Sequence, residues 1–254
     1  MSAEIKDALE RILMAAVPYR HSSQELVCFC PMRGAKADGR LMLVGRALYG
    51  WPFPFKSSDM SIETIRAKLL EETVAFSSSN GDPIQHLHDG WVEARKTGSK
   101  YSAARSSFWM VAKAILKEIS GSNESQNLLS HLYWTNLYKL SLYHGGNPGG
   151  SLRKIQSQPC QEMLATEIRL LAPQKILFLT GGWWAEPFLK NLNFKPQETG
   201  NYSHVYQTGF LSLNNGTWCS VVVADHPERK RRSIIIADIF NAFSSLSQLA
   251  NPSS

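Results

Sequence analysis

Four short apolar runs set the terms for what this chain folds into. They are Leu41-Met42-Leu43-Val44, Leu132-Tyr133-Trp134-Thr135, Ile176-Leu177-Phe178-Leu179 and Val221-Val222-Val223-Ala224. Each is continuous rather than alternating and gives way at once to small or polar residues. A strand buried on one face only alternates apolar and polar positions. A strand covered on both faces does not, and this is the pattern of a parallel sheet between helices.

Helical patterns separate the runs. Ile5, Leu9, Ile12, Leu13 and Ala16 share one face of an opening helix. Phe108, Val111, Ala112, Ile115, Leu116 and Ile119 form a stripe at three- and four-residue spacing. Leu164, Ile168 and Leu171 form another, stopped by Pro173, and Ile235, Ile236, Ile239, Phe240, Phe243 and Leu246 form the last. Strands alternating with helices predict a three-layer α/β/α fold with a central, mainly parallel four-stranded sheet and right-handed crossovers. No repeat is visible, and the glycine-rich stretch Tyr143–Ser151 reads as a loop inside one domain spanning 1–254.

Composition narrows the class. A chain of 254 residues that is 43% hydrophobic and 19% charged is an ordinary globular protein. No uninterrupted apolar run approaches the ~20 residues of a membrane span. The N-terminal residues mix Glu4, Lys6, Asp7, Glu10 and Arg11 with apolar ones, unlike a signal peptide. A cytoplasmic monomer without a membrane partner is therefore expected. Cys28, Cys30, Cys160 and Cys219 read as reduced, structural thiols, since Cys28-Phe29-Cys30 lacks zinc-knuckle spacing. No metal and no cofactor is expected. The net charge of +6 permits a polyanionic partner. Two basic regions stand out, Arg229-Lys230-Arg231-Arg232 and Arg95, Lys96, Lys100 and Arg105.

Ligands of open α/β sheets bind beyond the carboxyl ends of the strands, so the residues just after each run carry the functional argument. The first run leads into Gly45-Arg46-Ala47-Leu48-Tyr49-Gly50-Trp51-Pro52-Phe53-Pro54-Phe55. Its glycines admit close backbone approach to a ligand, and no Gly-Lys-Ser/Thr element makes it a phosphate loop. The second ends in Thr135-Asn136-Leu137-Tyr138-Lys139, where the Asn136 amide offers one donor and one acceptor edge. The fourth is followed by Asp225-His226-Pro227-Glu228 and the basic run.

Taken in order, these segments resemble the uracil-DNA glycosylase superfamily. That superfamily carries a Gly-x-x-Pro or Gly-x-Asp-Pro motif after its first sheet strand, a strand-end Asn and a final His-Pro-Ser loop. Thr135–Lys139 is similar to the Thr-Asn-x-x-Lys of the iron–sulfur branch. The helix Cys160–Leu171 with Ala172-Pro173-Gln174-Lys175-Ile176 resembles that branch's Glu-Leu-Leu, x-Pro-Lys run. The resemblance implies DNA, single- or double-stranded, as the partner, with a base flipped from the stack before its glycosidic bond is cut. It implies that Asn136 contacts the base edge and that Phe55 or Phe53 stacks on the base. It implies that His226 donates to the carbonyl oxygen that gains charge as the base leaves. Gly45, Arg46, Ala47 and Tyr49 would line the base and DNA site, and Arg229, Lys230 and Arg231 would hold phosphates. Gly45, Asn136 and His226 are expected to converge on one pocket.

The chain also departs from that pattern. Arg46, Ala47 and Leu48 stand where the family supplies a carboxylate or Asn and a Pro. Glu228 replaces the Ser of the last loop, and Leu140 replaces a cluster cysteine, so no iron–sulfur cluster is expected. Asp82, Asp89 and Asp225 are the candidate replacements for the lost carboxylate. Two alternatives stand beside a glycosylase: a catalytically silent nucleic-acid-binding domain of the same fold, and an enzyme acting on a free nucleotide or other small molecule.

Overall fold

The computed structural model describes residues 2–19, 24–47, 51–78, 81–96, 102–120, 127–144, 146–214 and 216–250, the side chains of 95, 96 and 120 excepted. Along the chain the elements run α1 (Ala3–Ala15), β1 (Leu26–Cys28), β2 (Met32–Arg33), β3 (Leu41–Gly45), α2 (Glu63–Ser78), α3 (Pro83–Lys96), α4 (Ser107–Ser120), β4 (Leu132–Asn136), β5 (Leu140–Leu142), α5 (Gly150–Leu171), β6 (Lys175–Leu179), α6 (Gly182–Leu189), β7 (Phe194–Pro196), β8 (Val205–Ser212), β9 (Trp218–Ala224) and α7 (Arg232–Ala250). The protein is a mixed α/β chain.

These elements gather into two compact units, each built from separated stretches of chain. The first comprises Met1–Met32, Gly45–Ser79 and Thr135–Leu171; the second comprises Arg33–Val44, Asn80–Trp134 and Ala172–Ser254.

In the first unit, β1 pairs antiparallel with β5, Leu26 opposite Leu142 and Cys28 opposite Leu140. α1 begins at Ser2, whose hydroxyl accepts from the Ile5 N–H, and buries Ile5, Ala8, Leu9, Ile12 and Leu13. It packs against α5 and α2. α5 is longer than its apolar stripe suggests. It starts at Gly150, inside the stretch expected to be loop, and carries Pro159 in its interior. Its buried residues include the polar Gln156 and Glu167, and these interrupt the apolar periodicity.

The second unit carries the larger sheet, in the order β2-β4-β3-β6-β9-β8-β7. β3 and β6 pair in parallel, as do β6 and β9, whereas β8 runs antiparallel to β9 and β7 antiparallel to β8. All the predicted strands are present and contiguous as β4-β3-β6-β9. The expected sheet of four strands is too narrow: there are seven. β2 and β7 are too short to show a pattern, and β8 mixes exposed Tyr206 and Gln207 with buried Thr208. The chain order reverses between β3 and β6, a topological switch point of the kind where open α/β sheets take ligands.

α7 buries Ile235, Ile239, Ala242, Phe243 and Leu246 against β8, β9 and α4. By length and composition alone it is the one helix among the described residues apolar enough to cross a membrane. Its stripe instead serves the core of this unit. α3 was not anticipated from the sequence, although Asp82-Pro83 is a helix-start signal: Asp82 Oδ1 accepts from Gln85 N at 3.5 Å, and Pro83 fills the first turn.

Candidate functional site

In the first unit the ends of β3 and β4 are tied together by backbone. Leu137 N donates to the Gly45 carbonyl at 2.8 Å, and Tyr138 N donates to the Arg46 carbonyl at 3.0 Å. This brings Gly45 and Arg46 beside Asn136, three of the expected site residues. Arg46 and Ala47 are half-buried. Tyr49 lies outside the described residues, as do Leu48, Gly50 and Lys100, and the side chains of Arg95 and Lys96.

Asn136 is 1% exposed, and its Nδ2 finds no hydrogen-bond partner among the described residues. A buried amide donor without a partner forgoes about 1–3 kcal/mol, so its retention asks for a reason. Its backbone is held hard. The Lys139 ammonium donates to the Asn136 carbonyl and to the Thr135 hydroxyl, both at 2.6 Å, and lies 2.9 Å from Glu167 Oε1. Lys139 and Glu167 are both closed to water. Burial pushes the Glu167 carboxyl up, and the adjacent ammonium opposes this. The Lys139 carbonyl accepts from Phe29 N at 2.7 Å, with the ammonium 5.8 Å from the Phe29 ring centroid. Gln156 brackets the next residue, accepting from Leu140 N at 2.8 Å and donating to its carbonyl at 2.9 Å. The Thr-Asn-x-x-Lys segment is thus fixed by a buried polar network in which the Asn136 amide donor finds no partner among the described residues.

The aromatics of the same unit are occupied with packing. Phe55 is buried and bridges to Leu26 through reciprocal backbone bonds of 2.8 and 2.9 Å. Phe53 is half-buried, in left-handed backbone at φ 66°, with its ring edge-on to Phe76 at 5.9 Å. Cys28, Cys30 and Cys160 are buried free thiols; burial pushes Cys30 and Cys160 up to about 12. Such thiols are inert. Among the described residues no group of His, Cys, Asp or Glu is arranged to hold a metal ion.

The second unit holds His226 and the basic run. The His226 ring stacks on Phe108 at 6.3 Å and 25° between planes, and its Nδ1 accepts from Glu228 N at 3.4 Å. Arg229 turns the chain with φ 60° and is exposed, as is Arg231. Arg232 opens α7, and its guanidinium contacts Met110 Sδ. Lys230 Nζ lies 3.3 Å from Asp225 Oδ2, and Arg229 Nε lies 3.9 Å from the exposed Glu228 Oε1.

Asp225 is the hub of a cluster that sequence reasoning missed. His204 Nδ1 lies 3.0 Å from Asp225 Oδ2, and the Tyr206 hydroxyl also donates to this carboxylate. Burial alone would raise the Asp225 carboxyl; the bonds from His204, Lys230 and Tyr206 outweigh it and hold the group below the usual carboxylate range. The other candidate carboxylates are also committed. Asp82 accepts from the Ser130 hydroxyl, and Asp89 accepts from Gln85 Nε2 at 2.9 Å and faces His88 Nδ1 at 3.2 Å. His88 is buried, its other ring nitrogen 3.0 Å from Lys113 Nζ; burial lowers both groups. No sequence signal paired His204 with Asp225, because His204 just precedes β8 and Asp225 just follows β9, so that only the pairing of the two strands brings them together. Asn136 belongs to the first unit and His226 to the second.

Comparison with known proteins adds no name to these features: no family model matches the chain, and no curated protein matches it.

Proposed function

We propose that this protein binds DNA, reads a flipped base with Asn136, and hydrolyses the glycosidic bond of a damaged or deaminated base. The observation that carries this reading is the unpaired, fully buried Nδ2 of Asn136, on a turn immobilised by Lys139 and Glu167. An amide so placed gives up no internal hydrogen bond when it meets an acceptor on a base edge. The resemblance of Thr135–Lys139 and His226-Pro227 to the glycosylase motifs points the same way. With this reading goes a three-layer α/β/α arrangement around β4, β3, β6 and β9. The exposed Arg229 and Arg231 supply phosphate contacts.

The resemblance gives the final-loop His, here His226, the task of meeting charge that builds as the base departs, so its contribution falls on the transition state. The test is single-turnover incubation with a panel of oligonucleotides, each carrying one modified base, followed by alkali cleavage. The expected result is strand scission at one class of base. His226→Ala should slow it roughly a hundredfold to a thousandfold with little loss of binding. Absence of scission on every base with wild-type protein overturns the hydrolytic part.

A second reading, a silent nucleic-acid-binding domain, is favoured by one observation. Asp82, Asp89 and Asp225 are all hydrogen-bonded within the protein, and Arg46 and Ala47 follow β3 where a carboxylate would position water. Under it, modified and unmodified strands bind alike, and no abasic site forms.

A further inference from the structure

Strand β8, second from the sheet edge, presents a feature that the Asn136 turn and the His226 loop do not use. Tyr206 is 60% exposed, yet it is not loosely held. Its hydroxyl donates to Asp225, and its ring lies so close over Gly182 that a Cβ there would meet Cγ at 3.0 Å. Any larger residue at 182 would push the ring away. Trp183, the next residue, is 62% exposed. Tyr206 on β8 thus lies against the first turn of α6, where the exposed Trp183 stands edge-on to Trp184 at 4.9 Å.

Two further observations give this surface a direction. Asp225, which anchors Tyr206, also holds Lys230, so the aromatic ring adjoins the loop that carries the exposed Arg229 and Arg231. On its other side Tyr206 lines a concavity of about 350 Å³ shared with Gln197, Glu198, Gln207 and Thr208. Its walls offer the Gln197 and Gln207 amides and the Glu198 carboxylate, while the buried Thr208 hydroxyl is engaged by the Gln197 carbonyl and Thr199. That carboxylate disfavours phosphate, whereas the amides suit the edge of an uncharged base. Cations on the adjoining loop, an exposed ring and a polar hollow whose Glu198 carboxylate repels phosphate match a strand whose phosphates meet the cations while its bases meet the ring and the amides.

We infer that Tyr206 and Trp183 form a stacking platform for unpaired bases of a single-stranded nucleic acid, whose backbone lies along Arg229 and Arg231. This rests on the nucleic-acid-binding reading and extends it to strandedness and to a second contact surface. Every base has a π-face, so the platform tolerates any sequence, while its demand for unstacked bases selects single strands over duplex. Gly182 lets the Tyr206 ring lie close, since a Cβ there would press on the ring and shift it by a few tenths of an ångström.

The experiment is equilibrium binding of an unmodified single-stranded oligothymidine and of a duplex of equal length, by fluorescence anisotropy, to the full-length protein. Wild type should prefer the single strand. Tyr206→Ala and Trp183→Ala should each weaken single-strand binding roughly 5- to 150-fold. Duplex binding should change little. Tyr206→Phe, which keeps the ring, should retain most of the affinity, and thermal unfolding verifies that each variant folds. If both alanine variants bind the single strand as wild type does, while Arg229→Gln with Arg231→Gln weakens it, the platform is overturned and the nucleic-acid reading stands. If wild type binds neither strand nor duplex, both fall together.

Discussion

The Lys139 ammonium lies 2.9 Å from a Glu167 carboxylate oxygen, and neither side chain touches water. Burying two charges is costly, and the pair persists because Thr135 and the Asn136 carbonyl accept the remaining ammonium protons. Removing one partner strands the other charge. Lys139→Met should therefore destabilise the protein by about 3–5 kcal/mol in urea unfolding. Lys139→Met combined with Glu167→Leu should recover much of that loss, because the double variant buries no lone charge. A neutral single variant would mean that the pair does not hold this turn.

Asn136 should behave in the opposite way. Its Nδ2 makes no bond within the described residues, so the near-isosteric Asn136→Leu deletes no internal hydrogen bond and relieves an unpaired donor. Stability should stay level or rise by up to about 1 kcal/mol, while discrimination between modified and unmodified bases is lost. A loss of stability comparable to that of Lys139→Met would show that Asn136 serves the fold and not a ligand.

These contrasts mark what the sequence discloses and what it hides. Strands β3, β4, β6 and β9 are legible because covering both faces requires a continuous apolar run, which composition alone displays. β8 is hidden, since its outward Tyr206 and Gln207 are polar and its inward Thr208 is polar too. α2 is hidden for a related reason: Ile65 on that helix is exposed, while Leu69, Leu70 and the polar Thr73 are buried. The Thr-Asn-x-x-Lys turn is legible as a motif. Its partner Glu167 is not, because only the packing of α5 decides which carboxylate meets Lys139. His204 and Asp225, which flank the paired strands β8 and β9, present the same difficulty.

Asp225 carries a pH signature. Hydrogen bonds from His204, Lys230 and Tyr206 hold its carboxyl below the usual range despite burial, so the folded state binds this proton less readily than the unfolded one. The stabilisation is fully present above the unfolded value of about 3.9 and disappears as pH falls through the lower, folded value. Wild type and Asp225→Asn should therefore differ most in urea midpoint near neutral pH. The two curves should converge as the medium becomes strongly acidic. A constant offset between them across the whole range would deny Asp225 this role.

The basic run separates into members with different tasks, and salt dependence distinguishes them. Arg229, Lys230 and Arg231 are all exposed, but Lys230 pairs with the half-buried Asp225 at 3.3 Å, Arg229 meets the exposed Glu228 at 3.9 Å, and Arg232 opens α7. Each phosphate contact releases about one condensed counterion, so the slope of log binding constant against log salt counts the contacts made. Arg229→Gln with Arg231→Gln should flatten that slope by about one unit per lost contact on duplex DNA and roughly 0.7 on single strands, whatever the sequence. Lys230→Gln should flatten it less and should instead loosen the Asp225 cluster, lowering stability near neutral pH. Equal slope changes for Lys230→Gln and Arg229→Gln would mean that Lys230 leaves Asp225 to meet phosphate. An unchanged slope in every variant would reduce the run to a solvated entry into α7.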